Sequence, residues 1–212
     1  MKSTVGFTDN RQLLHTRKRT ATAAMAAIRQ LCCMGLPAQT VATSLLSQIN
    51  SLLPSNGSTL FWCSPDGQIT NMISQQNEAM EILPLYFNEF HEKREREVFL
   101  GWSESLRFTQ AAHFDQMLRV PRKQFLKHEF YGEILSVIGM HYGLCLTVRD
   151  EQACRGFLHL HRRQDNRDYS AEERQTLDQI HQYLAHIMGN NEVLGATSFL
   201  QSDDVGDSCV FR

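Results

Sequence analysis

Residues Val120–Met188 read VPRKQFLKHEFYGEILSVIGMHYGLCLTVRDEQACRGFLHLHRRQDNRDYSAEERQTLDQIHQYLAHIM, and the succession of periodicities in this stretch decides the fold. Residues 121–138 read as a helix carrying Phe125, Phe130 and Tyr131, ending near Gly139. Leu144, Leu146 and Val148 then alternate along one strand, and Gly156, Leu158 and Leu160 along its partner. Successive strand residues point to opposite faces, so one face is buried and the other meets water or a second helical layer. Ser170 and Glu173 form an S-x-x-E capping box, followed by Leu177, Ile180, Leu184 and Ile187 on one stripe of a final helix that Gly189-Asn190 closes.

Towards the N-terminus, the chain supplies a second hairpin and two more helices. Leu60–Cys63 and Gln68–Ile73 read as strands joined by Ser64-Pro65-Asp66-Gly67, which has tight-turn chemistry. Met25, Ile28, Leu31 and Cys32 repeat at helical steps up to Gly35, and Pro37 opens a helix faced by Val41, Leu45, Ile49 and Leu52. Residues 78–92 read as a helix limited by Pro84, and the charged run His91–Glu97 as a solvated face. Residues 98–120, with Phe99, Trp102, Phe108 and Phe114, read as a loop or short helices covering the sheet. The architecture that satisfies these elements is α+β: an antiparallel sheet flanked by helices on both faces, the first and last helices on one side and the middle segment on the other. The predicted organisation is a flexible or partly helical lead-in over 1–19, a domain over 20–189, and a linker over 190–212 running towards a further C-terminal region.

Composition narrows the class. The 212 residues suffice for one domain with a substantial core. A net charge of −2 argues against a domain that holds nucleic acid by neutralising phosphates. No apolar run approaches the length of a membrane span, and residues 1–20 lack the apolar core of a signal peptide. Six cysteines occur without C-x-x-C spacing, so a cytoplasmic chain with reduced thiols is expected.

Motifs for chemistry are sparse. His159 and His161 point the same way on a strand, as metal ligands must, but no third ligand stands at a recognisable spacing. Two partly exposed surface histidines are expected instead. Cys145 follows His141 by four residues, yet its place in Leu-Cys-Leu favours burial over nucleophilic catalysis. No phosphate-cradling glycine motif is present. What remains is an aromatic set that either fills a dry core or lines an apolar pocket; Trp62, Phe99, Trp102, Phe125 and Tyr131 are the candidate ligand-binding residues.

The order of elements, with the wording Phe130-Tyr131-Gly132-Glu133 and His141-Tyr142-Gly143-Leu144, resembles the GAF-like sensory domain at the N-terminus of LuxR-type bacterial transcription regulators. The resemblance covers roughly residues 20–189 and implies a sensory and dimerising module, not an enzyme, with no cofactor and no metal. Its implied partners are a small-molecule effector and a second copy of the chain, with DNA reached only through a C-terminal helix-turn-helix that this sequence lacks. The chain is therefore expected to be a fragment, or a regulator working through partners. A dimerisation-only scaffold is the alternative, predicting exposed apolar strips on the terminal helices such as Met25, Ile28, Ile180 and Ile187; a GAF-scaffold enzyme is a third.

Overall fold

The computed structural model describes residues 7–151, 153–189 and 209–210, with the side chains of the first helix described from Arg19 onward. Helix α1 (Phe7–Cys33) is followed by α2 (Ala38–Leu52), with Gly35 between them at φ +70°. Strands β1 (Gly57–Cys63) and β2 (Ile69–Ser74) form the predicted hairpin. The middle segment holds α3 (Asn77–Glu81), α4 (Leu83–Leu85), α5 (Trp102–Ser105), β3 (Ala112–His113) and α6 (Arg122–Phe125). Strands β4 (Tyr142–Arg149) and β5 (Cys154–Arg162), helix α7 (Ala171–Gly189) and the two-residue β6 (Cys209–Val210) complete the described chain.

Five strands run antiparallel in the order β3-β4-β5-β1-β2, and β6 adds to the β2 edge. Alternation assigns each strand residue to one of two cores. Leu60 and Trp62 of β1, Leu144, Leu146 and Val148 of β4, and Leu158 and Leu160 of β5 face α1, α2 and α7. On the opposite face Phe61, Cys63, Cys145, Cys154 and Phe157 meet the aromatics of the middle segment. The second face is thus covered by a protein layer, and the central strands are buried on both sides.

Several expectations change. The first helix begins at Phe7, so the lead-in is helical from there and runs unbroken into the helix expected from Thr20. Residues 121–138 are not one helix: α6 stops at Phe125, and Phe130–Leu135 forms a separate π-helical turn. The segment 78–92 is likewise broken at Ile82, before Pro84, into α3, α4 and a π turn over Tyr86–Phe90. The proposed dimerisation strip is internal, since Ile28, Ile180 and Ile187 belong to the helical-side core and Met25 packs against it. Residues 190–208, the bulk of the expected linker, lie outside the described residues.

The sequence-level capping box is present: Ser170 N–H donates to Glu173 (2.8 Å) and Glu173 N–H to Ser170 Oγ (3.3 Å). Glu173 also receives the buried Arg162 guanidinium, whose Nη2 lies 2.8 Å from Oε1. The same guanidinium donates to the Pro54 carbonyl (2.9 Å) and lies 4.0 Å over the Tyr169 ring. One side chain thereby ties the end of β5 to the start of α7 and to the turn before β1. At the other end of β5, a Cβ on Gly156 would stand 1.9 Å from the Phe61 carbonyl oxygen, so β1 and β5 approach there closely enough to demand glycine.

An apolar cavity as the candidate functional site

A cavity of about 110 Å³ lies between the second face of the sheet and the middle segment. Phe61 and His159 form its floor from β1 and β5, and Tyr86, Trp102, Met117 and Phe130 close it from above. These residues meet because the odd-numbered positions of β1 and β5 share a face. Its walls are almost wholly apolar, so two polar features stand out.

The first is His159. Its side chain is 8% exposed, and its Nε2 is buried without a hydrogen-bond partner. The imidazole stacks on Trp102 (5.1 Å between centroids, 8° between planes) and meets Phe61 edge-on at 5.1 Å. Burial, with a smaller contribution from His161, pushes its pKa down to about 3, so the ring is neutral and can both donate and accept. An unpartnered polar atom in an apolar enclosure costs free energy unless something meets it.

The second is a hydrogen-bonded group at one end. Trp102 Nε1–H donates to Tyr86 Oη (2.9 Å), and the Tyr86 hydroxyl donates to Glu95 Oε2 (2.8 Å) and lies 3.1 Å from His91 Nδ1. Glu95 also accepts the Glu92 N–H at 2.8 Å. Glu95 is only 3% exposed, and burial raises its pKa to about 7 despite the lowering effect of these two hydrogen bonds. Glu92 adopts φ +54°, a left-handed conformation costly for a non-glycine residue, and its carboxylate accepts the Trp102 N–H at 3.1 Å. The turn that carries Glu95 is therefore pinned to the residue that covers His159.

The sequence-level candidates divide. Phe99 and Trp102 line the cavity. Trp62 does not: as an even-numbered residue of β1 it faces the opposite core, among α1, α2 and α7. Phe125 is buried behind the cavity, stacked on Phe99 at 6.2 Å. Tyr131 lies at the rim of the layer, its hydroxyl 2.7 Å from His141 Nδ1. Two further expectations are corrected. His159 and His161 are buried, not partly exposed, because the middle segment roofs their face. Glu95 is buried although its neighbours in His91–Glu97 are charged, since the turn directs it inward to Tyr86. Among the described residues no group of three or more His, Cys, Asp or Glu side chains could hold a metal ion.

Tyr86, Glu95 and the cavity-facing role of His159 were missed by pattern reading. The alternation Phe157-x-His159-x-His161 carried a signal, because it places both imidazoles on the face of a core phenylalanine. Nothing in His91–Glu97 distinguishes Glu95 from its exposed neighbours.

No profile of a known protein family matches the chain, and no curated protein does. Solved structures do match. Escherichia coli SdiA superposes with a TM-score of 0.51 at 13% identity, covering 86% of this chain and 74% of SdiA. The N-acylhomoserine lactone dependent LuxR family transcription factor CepR2 from Burkholderia cenocepacia gives 0.49 at 14%, over 81% and 98%. The GAF domain/HD domain protein from Geobacter sulfurreducens gives 0.48 at 13%, over 75% and 97%. The fold is of the α+β class, an antiparallel sheet with helices on both faces, and is shared with SdiA. No helix among the described residues is long and apolar enough to cross a membrane.

Proposed function

We propose that this chain is the sensory module of a LuxR-type regulator, and that its cavity binds a small, mainly apolar molecule bearing one hydrogen-bonding group. The observation that carries this reading is the buried, unpartnered Nε2 of His159 in an otherwise apolar enclosure. A cavity near 110 Å³ compares with an engineered cavity of about 150 Å³ that takes up benzene, so the occupant is roughly the size of one small ring or a short chain. The neutral imidazole meets the occupant's polar group, while Phe61, Trp102 and Phe130 enclose the remainder. The reading makes the chain a binding module rather than an enzyme, acting in the cytoplasm as a homodimer. Occupancy shifts the population of arrangements that an attached or partner DNA-binding segment experiences.

The test is a thermal-shift series with monocyclic phenols, short-chain lactones and their all-hydrocarbon counterparts. A ligand that binds only the folded state raises Tm in proportion to occupancy. The expected outcome is stabilisation by members with a hydrogen-bonding group, weakened roughly tenfold in affinity in His159→Leu, the equivalent of one lost hydrogen bond of about 1.4 kcal/mol. Toluene-like members should bind the variant and the parent alike. A series that leaves Tm unmoved throughout would overturn the reading.

A further inference from the structure

Cys63 ends β1 and Cys154 begins β5, 91 positions apart in sequence, yet their sulfurs stand 3.1 Å apart. Two irregularities bring them together. The β1–β2 register shifts between Trp62 and Cys63, and the β4–β5 register steps from Val148↔Gly156 to Arg149↔Cys154, leaving Arg155 as the extra residue of a bulge. A bulge re-aims the residues beside it. Here it turns Cys154 onto the face of Phe157, which is also the face of Cys63. Without that extra residue, Cys154 would point to the opposite core.

The surroundings suit oxidation. Cys63 is partly exposed, whereas Cys154 is buried. The hydrogen bond from Cys63 holds the Cys154 thiol below its ordinary value against burial, and the Gly156 backbone, Arg149 and Arg155 add to the lowering. Cys145, by contrast, is fully enclosed and pushed upward by burial. A partly exposed sulfur beside a buried one is the arrangement in which a sulfenic acid meets a resolving thiol.

We propose that Cys63 and Cys154 are a thiol-oxidation site that closes to a reversible disulfide cross-linking β1 and β5. The oxidant class is a hydroperoxide. One thiolate attacks a peroxide oxygen, so that an S–O bond forms, the O–O bond breaks and the departing hydroxide (alkoxide for an organic hydroperoxide) takes up a proton as water (or alcohol). The second sulfur then displaces the sulfenic oxygen as another water, breaking S–O and forming S–S. The two thiols lose two electrons and two protons in all, and the peroxide gains them. Closure brings the sulfurs from 3.1 Å to about 2.05 Å. This site is independent of any ligand in the cavity, although Phe61, two residues from Cys63 and on the same face, is part of the cavity floor.

The experiment treats the whole chain with hydrogen peroxide under denaturant-free conditions, then counts thiols and maps peptides by mass spectrometry. The expected result is loss of two of the six thiols, a Cys63–Cys154 linked peptide, and full recovery of both thiols with dithiothreitol. Cys63→Ser and Cys154→Ser should each abolish that linkage, and Cys145→Ser should leave it intact. Should a serine variant fail to fold, peptide mapping of the parent decides alone. Oxidation confined to the exposed Cys33, or a linkage that joins separate chains, would overturn the proposal.

Discussion

His159 and Glu95 face one cavity and carry opposite electrostatic consequences of the same burial. His159 has an ordinary pKa of 6.5 when unfolded and about 3 when folded. The unfolded chain therefore binds the extra proton between those values, and stability falls as pH drops from 6.5. Glu95 moves from 4.5 to about 7 on folding. The folded chain holds that proton, so its contribution is complete below pH 4.5 and is lost as pH rises through 7. Urea unfolding across pH 5 to 6.5 should show parent-minus-His159→Phe stability rising by about 1 kcal/mol per pH unit. Parent-minus-Glu95→Gln stability should fall at a similar rate over the same window. A flat slope for either variant would mean that its side chain is solvated in the folded chain. Arg162 raises a different residue-scale question, because its charge is buried against Glu173. Burial would raise Glu173, yet Arg162, the Ser170 backbone and Arg167 hold it near 2. Removing the cation leaves Glu173 to Arg167 and strips the Pro54 carbonyl and the Tyr169 ring of their partner, so Arg162→Ala should cost about 1–3 kcal/mol by chemical denaturation. A loss under 1 kcal/mol would show that the contact is solvent-screened.

At the scale of elements, what was legible followed from strict periodicity. The β1–β2 and β4–β5 hairpins, α2 and the capped α7 each carry a repeat that one burial pattern satisfies, and each forms where its residues predict. The middle segment did not yield, because its helices are only three to five residues long and their ends are set by contacts with the sheet. A π turn such as Phe130–Leu135 buries Phe130, Ile134 and Leu135 at spacings that also fit an ordinary helix, so sequence alone extends the helix through it. The cavity was half legible for the same reason. Phe99 and Trp102 stood out as large aromatics, whereas Tyr86 and Glu95 come together only through the Glu92 turn. Trp62 stood out on β1, but the face assignment of that strand puts Phe61 on the cavity side in its place. The close approach of β1 and β5 gives this level its test. Gly156→Ala must displace both the Phe61 carbonyl, 1.9 Å from the added Cβ, and the Met188 methyl, 2.4 Å from it, and should destabilise by about 1–3 kcal/mol. A variant as stable as the parent would show that β5 can shift away from β1.

The whole molecule is two cores divided by one sheet, and they differ in kind. The core under α1, α2 and α7 is aliphatic and continuous, built from residues such as Leu45, Leu46, Ile49, Leu146 and Ile180. The core under the middle segment is aromatic and encloses empty space beside neutral polar groups. Close packing is the rule in protein interiors, so the cavity with its unsatisfied imidazole is the feature on which the proposed ligand binding rests. An NMR titration of uniformly ¹⁵N-labelled chain with phenol, observing the His159 imidazole nitrogens, tests this directly. The account predicts a saturable shift of Nε2 together with the Phe61 and Trp102 backbone amides, abolished when Ala79→Phe fills the cavity. His159 resonances unmoved at saturating phenol, or shifts confined to the α1–α7 side, would contradict it.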